Sequence, residues 1–77
     1  METTLTAEQQ SDLRKFGQRL AILRKERGWS QERLALESGL ARSYLGGVER
    51  GQRNLALLNI LKIARTLECD PGELFKL

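Results

Sequence analysis

The side chains that carry out covalent chemistry are almost missing from this sequence. It has no histidine and one cysteine, Cys69. It has no glycine-rich phosphate loop and no acid and base spaced to work as a pair, so general acid–base, nucleophilic and metal-assisted catalysis all lack their groups. A single thiol without imidazoles cannot assemble a metal cluster, and neither a cofactor nor a small-molecule ligand is expected. The chemistry that remains is that of guanidinium and ammonium groups, concentrated in one stretch. Between Asp12 and Arg65 stand twelve Lys and Arg against five Asp and Glu, a local excess of seven, whereas the whole chain carries only +3. The ends are acidic, with Glu2 and Glu8 at one and Glu68, Asp70 and Glu73 at the other. A basic middle between acidic ends is the distribution of a surface that faces a polyanion. A solvated surface of mixed charge has the same counts.

Those charges need elements to position them, and the pattern is helical throughout. Proline and aromatics are scarce, β-branched runs are absent, and glycine supplies the punctuation. Thr6 followed by Gln9 has the form of a capping box. It opens a first helix whose Leu13, Phe16, Leu20 and Leu23 recur at three- and four-residue steps, and Gly28 ends it. Ser30 stands where it caps a second helix, Gln31 to Ser38, with Leu34 and Ala35 inward and Gly39 after it. A third runs from Arg42 to Arg50 with Leu45 and Val48 inward, and stops at Gly51. After Gln52-Arg53-Asn54 comes a fourth, about Leu57 to Leu67. Asp70-Pro71-Gly72-Glu73 carries the start signature of a short fifth helix with Leu74 and Phe75. The expectation is an all-α, five-helix single domain over residues 1–77, with helices four and five, about residues 57–76, completing the core.

Size adds a constraint. A chain this short buries only about 60% of the surface its unfolded form exposes, and such chains lean on disulfides, a metal or a partner subunit. Cys69 alone excludes an internal disulfide, which leaves dimerisation. A lone cysteine in a chain whose start, Met1-Glu2-Thr3-Thr4, has no basic and apolar leader points to the reducing cytoplasm. No apolar stretch approaches the roughly 20 residues that span a bilayer, so no membrane association is expected.

The segment from Gln31 to Val48, within a motif over about residues 31–50, carries the most information. Two helices crossing through a 3–4-residue turn need a glycine that tolerates positive φ, here Gly39. They need a small side chain where they approach, which Ala35 supplies, and apolar residues to fill the wedge: Leu34, Leu40, Leu45 and Val48. Such a turn leaves the third helix standing out from the body, able to enter a major groove about 12 Å wide.

These residues resemble a known family. Leu20, Leu23-Arg24, Gly28-Trp29-Ser30-Gln31-Glu32, Leu34-Ala35, Gly39, Leu45 and Val48-Glu49-Arg50-Gly51 are similar to the phage-repressor, Cro/CI-type helix-turn-helix proteins. The likeness continues through Ile60, Ile63-Ala64, Leu67 and Leu74-Phe75. Within that family, Arg42-Ser43-Tyr44-Leu45 with Glu49-Arg50-Gly51 and Arg53-Asn54 resembles the controller proteins of restriction-modification systems. The resemblance implies a compact lambda-repressor-like domain with the helix-turn-helix at helices two and three. It also implies roles by position. Gln31, at the start of the second helix, falls where relatives touch a phosphate, helped by the helix dipole. Arg42 and Ser43 open the helix that reads bases, and arginine suits the O6 and N7 edge of guanine. Tyr44 reaches a phosphate or a thymine methyl, or else covers the small core. Gly47 stands where some relatives read a base, so that contact is lost there or passes to neighbours. Arg50, Arg53 and Asn54 fall at or after the end of that helix, where relatives grip the backbone or edge of the site. Arg24 and Glu49 match an internal ion pair. Trp29 reads as a core plug and Cys69 as a small apolar residue. Ala56 takes the N-cap of the fourth helix, where relatives often have Ser or Thr, and Asn54 is the substitute cap.

On the fourth helix Leu57, Ile60, Leu61, Ala64 and Leu67 share one arc at about 100° per residue, with Ile63 beside it and Leu58 nearly opposite. Leu58, with Leu55, Phe75 and Leu77, makes an apolar patch suited to a twofold interface. The function implied is sequence-specific transcriptional regulation by a homodimer on double-stranded DNA with a palindromic operator, activating at low occupancy and repressing at high. A phage-type repressor, or an antitoxin-like protein whose main partner is another protein, is the alternative; an enzyme is not expected.

Overall fold

Four α-helices and a final 3₁₀ turn make up the computed structural model, which describes residues 4–77. The reading of the first residues as leaderless, and Glu2's share in the acidic N-terminal end, fall on residues 1–3, outside the described residues. Helix α1 spans Ala7–Glu26. It opens on the capping box: Thr6 Oγ1 accepts from the Gln9 N–H at 3.0 Å, and Gln9 Oε1 accepts from the Thr6 N–H at 2.9 Å, so two of the unpaired donors of the first turn are satisfied. Helix α2, Gln31–Ser38, opens on Ser30, whose hydroxyl accepts from the Arg33 N–H at 3.0 Å. It closes on Gly39 at φ 76, a left-handed conformation that a residue with a Cβ adopts only with strain. The turn to α3, Arg42–Glu49, therefore needs glycine there, as the spacing predicts.

Helix α4 covers Leu57–Thr66. Its end shows how far backbone closure outweighs residue preference. The Cys69 N–H bonds to Ala64 O at 3.0 Å and the Glu68 N–H to Arg65 O at 3.1 Å, the paired bonds of a Schellman closure. The left-handed residue in this case is Glu68, at φ 55. Its carboxylate meets Arg27 Nη1 at 3.0 Å, and the same nitrogen donates to Leu67 O at 2.8 Å, which ties the end of α4 to α1.

The core is drawn from every element: Phe16, Leu20 and Leu23 of α1, Leu34 of α2, Leu45 and Val48 of α3, Ile63 and Ala64 of α4 with Leu67 just after it, and Leu74 of the last turn. α1 lies against α3 and the 3₁₀ turn, and α2 against α3 and α4. The α1–α3 contact is backbone to backbone. A Cβ on Gly17 would lie 2.6 Å from the Glu49 carbonyl oxygen and would also strike that of Val48. A glycine in mid-helix, ordinarily a weakness, is what lets α1 seat the end of α3.

Four expectations change. The fifth helix is not an α-helix but a 3₁₀ turn of five residues, Pro71–Phe75. Asp70 does cap it, accepting the Gly72 N–H at 2.9 Å, and the Glu73 N–H bonds to Asp70 O at 2.8 Å. The segment is too short to repeat the wider α-helical ring, so the tighter bond pattern wins. Arg19 pins it, donating to Glu73 O at 2.7 Å and to its carboxylate at 3.0 Å. Second, Leu57 is exposed rather than inward. The buried side of α4 centres on Ile63, Ala64 and Leu67, with Ile60 half-buried at its edge, and Leu57 and Leu61 fall at its flank. The helix period predicts a stripe, but its centre depends on where α2 and the last turn lie. Third, Asn54 does not cap α4: Ala56 is the N-cap, and no side chain bonds there. Trp29 is not fully interior either. It packs half-buried against the core with the Arg27 and Arg33 guanidinium groups 4.9 and 4.7 Å from its ring centroid.

Candidate nucleic-acid interface

Helix α3 has two unlike sides. Leu45 and Val48 are buried in the core. At roughly 100° per residue, Arg42, Ser43, Gly46, Gly47 and Arg50 fall within one arc of about 140° on the other side. No apolar side chain larger than hydrogen stands on that arc. Ala41 precedes it and supplies no side-chain cap, so the first N–H groups of α3 remain open beside Arg42 and Ser43, at the positive end of the helix.

The C-terminal end of the helix is held by a buried charge. Arg24 Nε donates to Glu49 Oε2 at 2.7 Å and Arg24 Nη2 to Oε1 at 2.9 Å. The third donor group, Nη1, reaches Trp29 O at 2.7 Å, and Gln31 Nε2 donates to Glu49 Oε1 at 2.9 Å. The two charged side chains are 9% and 8% exposed, so this is a desolvated, fully partnered ion pair joining α1, α2 and α3. The hydrogen bonds to Glu49 raise the Arg24 pKa further, outweighing the desolvation that lowers it. The internal pair that the resemblance implies is therefore present.

Arg42 and Ser43 are exposed. Arg42 Nε donates to Glu32 Oε2 at 3.2 Å, in a pair open to solvent on both sides. Glu32 has its pKa lowered, first by its own backbone N–H in the first turn of α2 and then by Arg42. Tyr44 is half-buried, and both readings of it hold in part: it packs against the core, while its hydroxyl accepts from Asn59 Nδ2 at 3.1 Å. That leaves the hydroxyl proton free to donate. Arg50 is exposed and donates to Gln52 Oε1 at 3.1 Å. Arg53 is exposed, with its guanidinium carbon 5.9 Å from the Tyr44 ring centroid. Gly47 is buried although it belongs to the outward arc. Asn54 is exposed in an open groove of mixed character that Arg14, Arg50 and Gln52 line together with Leu5 and Leu13. Gln31 spends one hydrogen of its amide on Glu49 and keeps the other.

Of the apolar patch, Leu58, Phe75 and Leu77 are exposed, whereas Leu55 is half-buried against the core. Leu55, Phe75 and Leu77 meet in an open groove of about 400 Å³ with Leu13, Phe16 and Ile60. Leu58 does not line that groove. Among the described residues no acidic, thiol and imidazole side chains gather to hold a metal, and no helix is long and apolar enough to cross a membrane.

Residues 20–74 match the family model described as helix-turn-helix. The chain belongs to this helix-turn-helix family. It is similar to the control protein C.BamHI of Bacillus amyloliquefaciens, 43% identical over 60 residues, which are 77% of this chain and 74% of that protein. Among solved structures it resembles the restriction-modification controller protein C.AhdI from Aeromonas hydrophila, with a TM-score of 0.83 and 65% identity over 84% of this chain and 98% of that one. It also resembles the master regulator for biofilm formation SinR, solved in complex with DNA, at a TM-score of 0.75 and 34% identity over 79% of this chain and 98% of that one. These relatives are regulators and control proteins, not enzymes, which is the class the side-chain inventory leaves open.

Against the helix-turn-helix frame, three residues at the site escape sequence reasoning. Glu32 is the partner of Arg42, ten positions away with no periodicity to link them. Asn59 braces Tyr44 from α4, and its only signal is a polar residue in the apolar run Leu57-Leu58-Asn59-Ile60-Leu61. Gly17 seats the end of α3, and a glycine among strong helix formers was the available sign.

Proposed function

We propose that this chain is a sequence-specific, double-stranded DNA-binding regulator of transcription that acts as a homodimer on a palindromic operator, as a controller protein of a restriction-modification system. The observation that carries this reading is the outward arc of α3: arginines and small polar or glycine residues, free of apolar side chains, on a helix anchored at its C-terminal end by a buried ion pair. The control proteins among its relatives, and SinR solved on DNA, support it. Arg42 and Ser43 lead the helix into the major groove, and Arg42 offers the paired donors that match guanine O6 and N7. The N-terminus of α2, with the remaining hydrogen of the Gln31 amide, faces a phosphate. The free hydroxyl proton of Tyr44, with Arg50 and Asn54, serves the flanking backbone, and Arg53 lies beside them at the edge of the site.

The exposed Leu58, with the groove that Leu55, Phe75 and Leu77 line, supports a twofold interface. A dimer of this kind sets two recognition helices about 34 Å apart, one turn of duplex. The compartment that goes with this activity is the cytoplasm, where bacterial DNA lies. Footprinting the region upstream of the chain's own gene tests the reading. Protection of two half-sites related by a twofold is the expected result, and uniform, sequence-blind protection contradicts it. Sedimentation of Leu58→Glu tests the interface separately. The variant should run as a folded monomer at concentrations where the wild type is dimeric, and an unchanged dimer removes Leu58 from the contact.

A further inference from the structure

Two adjacent glycines occupy the middle of the eight-residue recognition helix, where each weakens the helix relative to alanine. Their backbone does not require it, because neither has a positive φ. Both lie on the outward arc with Arg42 and Ser43, yet both are buried. Side chains from elsewhere cover them. A Cβ at position 47 would be 3.0 Å from Arg53 Cγ, 3.4 Å from its Nε and 3.7 Å from its Cδ. A Cβ at position 46 would be 3.1 Å from Arg50 Nη1 and 3.5 Å from Gln31 Oε1. The stem of Arg53 therefore lies directly on the backbone of α3. Its guanidinium sits 5.9 Å from the centroid of Tyr44, within reach of the ring face. Tyr44 is held from α4 by Asn59 at 3.1 Å. Gly47 and Tyr44 make a shelf, Asn59 braces it, and Arg53 rests on it.

We propose that Gly47 and Tyr44 are positioning residues that hold Arg53 across the recognition helix, so that the base facing position 47 is read by Arg53 from the following loop. This deepens the DNA-binding reading above and rests on it. Position 47 follows Ser43 by one helical turn on the outward arc, so any side chain there would meet the next base step along the groove. Glycine offers no donor, and Arg53 brings five in a planar fork. An arginine seated in advance has fewer rotamers to surrender on binding, which favours the contact. A methyl group at position 47 would stand 3.0 Å from Arg53 Cγ, so the Arg53 stem must give by a few tenths of an ångström, and a shift that early in the side chain moves the guanidinium from its seat over Tyr44.

The test starts from a duplex that the wild-type protein selects from a randomised library. Affinities for that duplex and for a random one are then measured for wild type, Gly47→Ala, Arg53→Ala and the double variant, with a melting temperature for each. Gly47→Ala should melt at or above the wild-type temperature, since alanine is the better helix former, yet bind the selected duplex roughly tenfold more weakly, within the range of a single base contact. Its loss on the random duplex should be smaller. In the Arg53→Ala background the same substitution should have no further effect. Tyr44→Leu removes the ring and adds nothing at position 47, so its loss of discrimination between the two duplexes should depend on Arg53 in the same way, while the loss of the hydroxyl's backbone contact weakens both duplexes alike. Discrimination retained in Gly47→Ala and Tyr44→Leu, or lost equally with and without Arg53, overturns the shelf. A wild-type protein that selects no sequence overturns the DNA-binding reading itself. One that selects a duplex while both variants stay silent overturns only the shelf.

Discussion

Arg24–Glu49 and Arg42–Glu32 are the same chemical pair in two settings. The first lies inside the protein, with two bonds of 2.7 and 2.9 Å between the partners and every arginine donor group engaged. The second lies on the surface, with one bond of 3.2 Å and both side chains more than half exposed. Each glutamate belongs to the helix-turn-helix, and each arginine carries the same charge. Burial separates their work. Inside, desolvation makes the pair indispensable once formed, because removing one partner strands the other. Outside, water competes for both groups, the pair contributes little to stability, and Arg42 is free to exchange its carboxylate for another acceptor. A cation holds the fold in one place and remains available to a ligand in the other.

The comparison is broken most directly at its buried half. Arg24→Ala leaves the Glu49 carboxylate without its counter-charge, and chemical denaturation should show a loss of about 3–5 kcal/mol, much of a total of roughly 5–15 kcal/mol for a domain. A loss below about 1 kcal/mol would place Arg24 with the surface pairs. Gly17→Ala attacks the same anchor through the backbone. Its Cβ meets the Glu49 carbonyl oxygen at 2.6 Å, so α1 and α3 must separate, and an overpacking cost of about 1–3 kcal/mol is expected in thermal unfolding. An unchanged melting temperature would show that the contact yields without strain.

The exposed half should respond to acid, and only slightly. Glu32 has a lowered pKa in the folded protein, so its ionised form is favoured by folding. The stability it contributes is present above the unfolded value of about 4.3 and is lost as pH falls through the lower folded value. Below that window the carboxyl is neutral and Arg42 is released. The difference between wild type and Glu32→Gln in a pH series of melting temperatures should be small and should close at the acid end. A difference that widens as pH falls would reverse the assigned sign.

Much of the fold is legible because helix ends are set locally. Thr6 with Gln9, Ser30, Gly39 and Gly51 mark where helices start and stop, and each depends on residues within one turn of itself. What escapes is set by distant neighbours. Asp70-Pro71-Gly72-Glu73 announces a helix start without stating that the segment ends before an α-helix can develop. The stripe on α4 has the right period, but its centre is chosen by the elements packed on it, which is why Leu57 turns out exposed. At the site, the outward arc of α3 is readable from its period alone. The cover over Gly47, the brace from Asn59 and the bond that occupies Gln31 are not, because each joins residues from different elements. The Arg24–Glu49 pair came from resemblance, since twenty-five positions separate the two.

The claim that matters most is that the outward face of α3, led by Arg42, reads DNA sequence. The direct measurement is the affinity of wild type and Arg42→Ala for a selected operator duplex and for a random duplex of equal length at one salt concentration. The account predicts a loss of about 1–3 kcal/mol on the operator, a much smaller loss on random DNA, and a melting temperature close to that of wild type. Equal losses on both duplexes would reduce Arg42 to a phosphate contact and contradict the account.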